Sequence, residues 1–113
     1  MTRRLGLLAA IVLGALVRLP FWLEALRTPL DGDTAIVGLM ARHPFEATTL
    51  WGQPYGSPVE AWLAAPWLAA FGATTQVVRW VYFGLGLALV PLAYALAGVL
   101  HPAAALPAAV LMA

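Results

Sequence analysis

The sequence contains no cysteine and no lysine, and it has few charged residues of either sign. The absence of cysteine excludes disulfide bonds within the chain and thiolate metal sites. Charged residues make up 10% of the chain, whereas about a quarter of the residues of a soluble domain are charged. The six basic residues are all arginine, and a net charge of +1 without a basic patch gives no indication of nucleic-acid binding.

Apolar residues are correspondingly abundant. They make up 63% of the 113 residues, and the mean hydropathy is +0.87. This composition is typical of an integral membrane protein, so we predict an all-α fold of polytopic transmembrane helices without a soluble domain. The preference for alanine, leucine, glycine and arginine suggests a bacterium with a GC-rich genome, and therefore a bacterial plasma (inner) membrane.

The first apolar segment, residues 5–23, is predicted to cross the membrane. Its length of 19 residues approaches the roughly 20 that a spanning helix needs. A signal peptide has a similar basic start, but its apolar core is about 7–15 residues long, and no small-residue cleavage site follows here. Arg3 and Arg4 place the amino terminus in the cytoplasm under the positive-inside rule, and Arg18 therefore lies near the outer face.

Two later segments are also predicted spans, 76–99 and an incomplete one at 103–113. Segment 58–72 is ambiguous, because its 15 residues rise only about 22 Å and the hydrocarbon core is about 30 Å thick. It either crosses the membrane or lies in it as an interfacial or re-entrant helix. A crossing would place Arg79 in the cytoplasm, which the positive-inside rule favours, so we expect four spans. The last one stops within an apolar run, which indicates a segment of a longer protein.

Residues 24–57 form the one sizeable polar segment, an outer loop in this topology. Within it, residues 33–43 have helical periodicity and an apolar stripe suited to lying on the membrane surface. The stripe consists of Ile36, Leu39, Met40 and His43.

The acidic turn Asp31-Gly32-Asp33 at the start of this surface helix is the main candidate site. In a purely structural interpretation, Asp31 and Gly32 form the turn and Asp33 is the helix N-cap. In the catalytic interpretation, Asp33 is a general base that deprotonates a hydroxyl or an amine as it attacks an activated donor. Both can hold together, because a cap needs only one carboxylate oxygen.

Other polar residues near the outer face have structural explanations beside functional ones. Glu60 begins an apolar helix, where a carboxylate is favourable, but it could also join Asp33 in a site. His43 fits an interfacial histidine, with a site role as the alternative. Arg18 and Arg42 either hold a phosphate or pair with acidic residues. The two histidines have no metal-ligand spacing, so no metal site is predicted.

The order of these elements along the chain is informative. The stretch 33–43 is followed by residues 51–63, which begin Trp-Gly-Gln-Pro-Tyr-Gly, and then by Phe71-Gly72 and Arg79. This order resembles the amino-terminal part of polytopic glycosyltransferases of the GT-C fold class, over roughly residues 18–99. It is similar to glycosyltransferase family 39, which includes protein O-mannosyltransferases, and to the transferase that adds aminoarabinose to lipid A. In these proteins an acidic residue precedes a short surface helix, a G-x-P-Y turn and a helix rich in Trp and Leu.

The resemblance implies an enzyme that transfers a sugar from a polyprenyl-phosphate-linked donor to a lipid, glycan or protein acceptor at the outer membrane face. Asp33 matches the family's loop acid, the proposed base, and Asp31 is a weaker second match. Glu60 matches a glutamate of one branch. No cofactor is implied, although a divalent metal stays an open alternative.

Many family members carry a Lys-Pro pair after the tyrosine of the turn, and that lysine is thought to contact the donor phosphate. This chain has Gly56-Ser57-Pro58 there, so the phosphate contact is unassigned, with Arg18 and Arg42 as weak candidates. Family members also have many more spans, and a chain with only these four is expected to be inactive alone.

Two other classes of protein are alternatives. The first is a small non-enzymatic multi-span protein, or a subunit that packs against partner helices, in which the acidic turn is only a cap. The second is a transporter core, but the predicted spans have no charged residue near mid-bilayer to bind an ion.

Overall fold

The computed structural model describes residues 3–52 and 56–113, and over those residues the chain is all-helical, as predicted. The five helices there are α1 Arg3–Ala25, α2 Gly32–Met40, α3 Val59–Phe71, α4 Thr75–Leu100 and α5 Ala105–Met112. The chain divides into two compact units. The first unit comprises Met1–Glu24 and Tyr82–Ala113, and the second unit comprises Ala25–Val81.

Within the described residues, α1 and α4 are the two helices long and apolar enough to cross a membrane. Their 23 and 26 residues rise about 35 and 39 Å, enough for a hydrocarbon core of about 30 Å. In α1 the small residues Gly6, Ala10 and Gly14 are buried, whereas large side chains such as Leu8 and Leu16 are exposed. This distribution is the reverse of that in a soluble helix, and it fits helices whose bulky side chains face lipid.

In the first unit α1 and α4 run antiparallel. A Cβ atom added to Gly14 would lie 3.3 Å from Val90 Cγ2. One turn further along α1, the Arg18 side chain lies beside Gly86, and the rings of Trp22 and Phe83 are 5.8 Å apart. Residue numbers therefore rise along α1 as those of the contacted residues fall along α4, which is the antiparallel arrangement.

Helix α5 completes the first unit by lying parallel to α1. Leu106 packs over Gly6, and Ala113 lies beside Gly14. Arg18 of α1 donates hydrogen bonds from Nη1 to the Gly14 and Ala113 carbonyls (3.2 and 2.5 Å). Its Nη2 donates to the Met112 carbonyl at 2.6 Å. These hydrogen bonds link the Arg18 side chain of α1 to the backbone of residues 112 and 113.

The four predicted crossings stay a prediction. With α1 and α4 both in a membrane, their antiparallel packing favours a segment 58–72 that does not cross, because a single crossing between them would make them parallel. The chain leaves the first unit after Glu24 and returns at Tyr82 at the same end of the helix pair. The limits of the predicted segments nevertheless agree within two residues with α1, α3, α4 and the start of α5.

The second unit consists of α2, α3 and the first turns of α4. Helix α2 packs against α3. A Cβ atom added to Gly38 of α2 would lie 3.2 Å from Val78 Cγ2, so the absence of a side chain at Gly38 permits close contact with Val78. Arg79 is buried and donates from Nη2 to the carbonyl of Thr28, three residues beyond the end of α1. This bond explains why a charged residue is tolerated in the interior, because a buried guanidinium needs an acceptor.

Candidate functional site

The acidic turn begins α2, and Asp31 is its N-cap. Asp31 has an extended backbone conformation, and its Oδ1 accepts a hydrogen bond from the Thr34 backbone N–H at 2.9 Å. Its Oδ2 accepts a second bond from the Thr34 hydroxyl at 2.6 Å. The hydroxyl bond, and next the backbone bond, lower the pKa of Asp31 below its ordinary value of 3.8, because both favour the ionised carboxylate.

The prediction that Asp33 caps this helix is therefore wrong. Asp33 lies in the first turn of α2, exposed to solvent, and Asp31 has the capping role. The difference arises because the helix starts at Gly32, two residues earlier than an N-cap at Asp33 implies, which brings the Thr34 N–H within reach of Asp31. Both carboxylates of the turn remain at the surface of the second unit.

The predicted surface stripe is also only partly correct. Helix α2 ends at Met40, so His43 is outside it, and Met40 is buried rather than surface-facing. Val37 and Ala41 join Met40 in the interior, whereas Leu39 is exposed. The face of α2 that was expected to lie on a membrane thus partly packs inside the second unit.

The capping geometry gives a stability prediction. Replacing Asp31 by Ala removes both acceptors and should lower the free energy of unfolding of the second unit by about 1 kcal/mol, within the usual 0.5–2 kcal/mol for a lost N-cap. Thr34→Val is the matched control, because it keeps the backbone bond and should cost less. Denaturant titration followed by circular dichroism measures both. Equal stability of Asp31→Ala and wild type would contradict the assignment.

The lowered pKa also predicts a pH dependence. Because the folded-state pKa lies below the unfolded value of about 3.8, ionised Asp31 contributes stability above that pH. The contribution is lost as the pH falls through the folded-state pKa. Acid titration of helicity should therefore show a component in wild type that is missing in Asp31→Ala. Identical acid titrations of the two proteins would count against this linkage.

His43 lies beyond α2 in a small polar and aromatic cluster. Its Nδ1 is 3.3 Å from Glu46 Oε1, and its ring is 5.9 Å from that of Trp51. Glu46 thus contacts a histidine three residues before it. Trp51 is held in turn, since its backbone N–H points at the Met40 sulfur at 3.3 Å. The cluster fixes the chain after α2 against the end of that helix.

The structure places the other predicted site residues in different parts of the chain. Glu60 is exposed in the first turn of α3, and Arg42 is exposed just beyond α2. Both belong to the second unit, as Asp33 does. Arg18 belongs to the first unit, where its guanidinium hydrogen-bonds the end of α5. Of the predicted Trp-Gly-Gln-Pro-Tyr-Gly turn, residues 53–55 lie outside the described part of the chain.

Two interactions of the site region were not predicted. The Asp31–Thr34 pair has a recognisable signal, because an Asp three residues before a Thr at a helix start is a common capping arrangement. The Arg79–Thr28 bond has no local signal, since 51 residues separate its partners. Among the described residues, no group of three His, Asp or Glu side chains is arranged to hold a metal ion.

Comparisons of the chain with protein-family models, curated proteins and solved structures find no match. Over the described residues the fold defines a class: an all-helical chain with two helices of membrane-spanning length and, in the sequence between Glu24 and Tyr82, a second compact unit that carries an acidic turn.

Proposed function

We propose that this chain is part of a membrane glycosyltransferase, which transfers a sugar from a polyprenyl-phosphate-linked donor to a lipid, glycan or protein acceptor. The observation that carries the proposal is the division of roles in the acidic turn. Asp31 accepts both hydrogen bonds from Thr34, so the helix has its cap without Asp33. Asp33 is exposed in the first turn of α2, where a substrate hydroxyl or amine can reach its carboxylate.

The placement of the turn supports a lipid-linked donor. A polyprenyl chain dissolves in hydrocarbon, so its phosphate and sugar lie at the membrane surface. The chain leaves the α1–α4 pair after Glu24 and rejoins it at Tyr82, at the same end of that pair. With Arg3 and Arg4 at the cytoplasmic face of a bacterial plasma membrane, we propose that this end, and the segment 25–81 that carries Asp33, are on the outer side of the membrane.

In the proposed reaction, the Asp33 carboxylate accepts the proton of the acceptor hydroxyl or amine. The acceptor oxygen or nitrogen then forms a bond to C1 of the sugar. The bond from C1 to the phosphate oxygen breaks, and polyprenyl phosphate leaves with the electron pair. A positioned general base of this kind contributes about 10²–10⁴ to the rate. The donor phosphate has no assigned partner, and Arg42 is the candidate that shares the second unit with Asp33.

The test is sugar transfer by membranes that contain the complete gene product carrying this segment. Polyprenyl phosphates bearing a radiolabelled hexose or pentose serve as donors, and label is followed into the lipid, glycan and protein fractions. Membranes lacking the protein are the control. Protein-dependent release of polyprenyl phosphate with label in an acceptor supports the proposal, and its absence with every donor overturns it.

A non-enzymatic membrane subunit is the second candidate, and one observation favours it. Large apolar side chains of α1 and α4, such as Leu16 and Leu96, are 60% exposed, and partner helices can cover them as well as lipid can. This candidate predicts that the protein copurifies with a stoichiometric membrane partner and that no transfer depends on it.

A further inference from the structure

A tight turn beyond α2 has a large aromatic residue at a position that usually holds glycine. The Glu46 backbone N–H donates to the His43 carbonyl at 3.4 Å, so residues 43–46 form a four-residue turn. Pro44 is the second residue of this turn, and Phe45 is the third, with a φ of 68°. Glycine is the usual third residue when its φ is positive, because a Cβ atom makes the left-handed conformation unfavourable. The backbone of Phe45 is therefore strained.

The fold gains little from the Phe45 side chain in return for this strain. The residue is 75% exposed, and its ring touches one neighbour, the ring of Trp62 on α3, with centroids 5.3 Å apart and planes at 40°. A large apolar ring contributes to stability mainly when it is buried. Strained residues of this kind concentrate at ligand-binding sites. We therefore examine what the exposed face of Phe45 can bind.

Hydrogen-bonding groups lie on the same turn. The exposed side chains of His43 and Glu46 are paired through Nδ1 and Oε1 at 3.3 Å. Among the described residues, His43 Nε2 and Glu46 Oε2 have no hydrogen-bond partner. The His43 ring lies 5.9 Å from the ring of Trp51, which is also exposed. We call His43, Phe45, Glu46 and Trp51 the Phe45 cluster.

We infer that the Phe45 cluster binds one sugar ring of an oligosaccharide. A pyranose has a face of C–H groups and a rim of hydroxyl groups. The C–H face packs on an aromatic ring, and the hydroxyl groups hydrogen-bond to the Glu46 carboxylate and the His43 imidazole. Aromatic surface with a few polar groups is typical of small-molecule sites. A lipid acyl chain would instead cover both polar groups without offering them a partner, which is unfavourable.

The position of the cluster distinguishes this sugar from the one that reacts. The Trp51 backbone N–H, 3.3 Å from the Met40 sulfur, holds the cluster at the carboxyl end of α2. Asp33 is at the other end, and the seven residue steps from Asp33 to Met40 rise about 10 Å. The bound ring is thus a second unit of the acceptor. This point rests on the proposed function, and it narrows the acceptor to a glycan of more than one sugar unit.

The experiment measures sugar binding in the absence of any donor. The full chain is placed in lipid nanodiscs, because maltoside detergents themselves carry sugars. Methyl glycosides of glucose, galactose, mannose and N-acetylglucosamine, and linear oligosaccharides of each, are screened by saturation-transfer nuclear magnetic resonance. At least one series should bind, with the strongest transfer to protons of the apolar face and with the oligosaccharide bound more tightly than its methyl glycoside. Absence of binding throughout the panel would overturn the inference.

The key variant is Phe45→Gly, which suits the positive φ of the turn and removes the ring. It should keep the fold and weaken sugar binding about tenfold, which corresponds to the loss of one aromatic contact. Phe71→Ala is the matched control, since Phe71 is 69% exposed in the same unit but lies outside the turn. It should bind sugar as wild type does. Equal binding by Phe45→Gly and wild type would refute the site.

Glu46→Gln tests the polar half of the cluster without changing the backbone of the turn. It should also weaken sugar binding, and unchanged binding would contradict the assigned contact. An unglycosylated peptide library is screened in parallel, and binding of a peptide but of no sugar would assign the cluster to a protein partner. Sugar transfer without glycan binding would refute this inference alone. Glycan binding that depends on Phe45, without transfer from any donor, would refute the proposed function and leave the site in place.

Discussion

Replacing Asp33 by Asn should lower sugar transfer by about 10²–10⁴-fold, because the amide cannot accept the acceptor proton as a general base does. Asn has nearly the same volume as Asp and keeps the exposed position in the first turn of α2, so the fold should be retained. The measurement is the initial rate of polyprenyl phosphate release at saturating donor, with the amount of variant in the membrane determined in parallel.

Asp31→Asn is the matched control in the same turn. Its side-chain oxygen can still accept the hydrogen bond from the Thr34 N–H, and Asn is as good an N-cap as Asp. We therefore expect this variant to retain transfer within about tenfold. The reverse pattern, loss in Asp31→Asn with activity retained in Asp33→Asn, would move the base to Asp31. Unchanged transfer in both variants would remove the turn from the mechanism.

Replacing Gly14 by Leu should separate α1 from α4 and destabilise the first unit by about 1–3 kcal/mol, the usual cost of overpacking. A Cβ atom at Gly14 would already lie 3.3 Å from Val90 Cγ2 and 3.2 Å from Arg18 Nη1, so the larger side chain has no room. Val90 is fully buried and cannot move outwards without loss of its own packing. The measurement is unfolding of the detergent-solubilised protein by sodium dodecyl sulfate, followed by tryptophan fluorescence.

Gly84→Leu provides the control for this change. Gly84 lies on α4, and no described atom is within 4 Å of where its Cβ atom would stand. The replacement should leave stability unchanged or raise it slightly, because glycine disfavours a helix interior by about 1 kcal/mol. If Gly14→Leu and Gly84→Leu unfold at the same detergent fraction, the close approach of α1 and α4 at Gly14 is refuted.

The helix limits were largely predictable from the sequence, because local residues determine them. Apolar runs set α1 and α4, and Pro58 and Gly72 bound α3. Helix α2 was predicted three residues too long at its carboxyl end. Pro44 disfavours helical geometry at the residue before it, and the last turn tightens, with the Arg42 N–H bonded to the Leu39 carbonyl.

The arrangement of the helices was not predictable in the same way. The positive-inside rule used only the position of Arg79 in the sequence, whereas in the structure its guanidinium donates a hydrogen bond to the carbonyl of Thr28, a residue 51 positions away. A rule based on arginine positions cannot include that bond. Likewise, Asp33 was the predicted N-cap, and a shift of two residues in the start of α2 gave the cap to Asp31.

The packing of α1 also sets an order of events during synthesis. Its buried residues, Gly6, Ala10 and Gly14, contact Val90, Leu106 and Ala109, which the ribosome adds roughly 75–100 residues later. At about 5–20 residues per second, α1 waits for roughly 4–20 s before its partners exist. During that time its small-residue face is open to lipid or to the insertion machinery, and the second unit is complete before α1 is locked in place. Assembly of the first unit therefore ends, rather than begins, with its first helix.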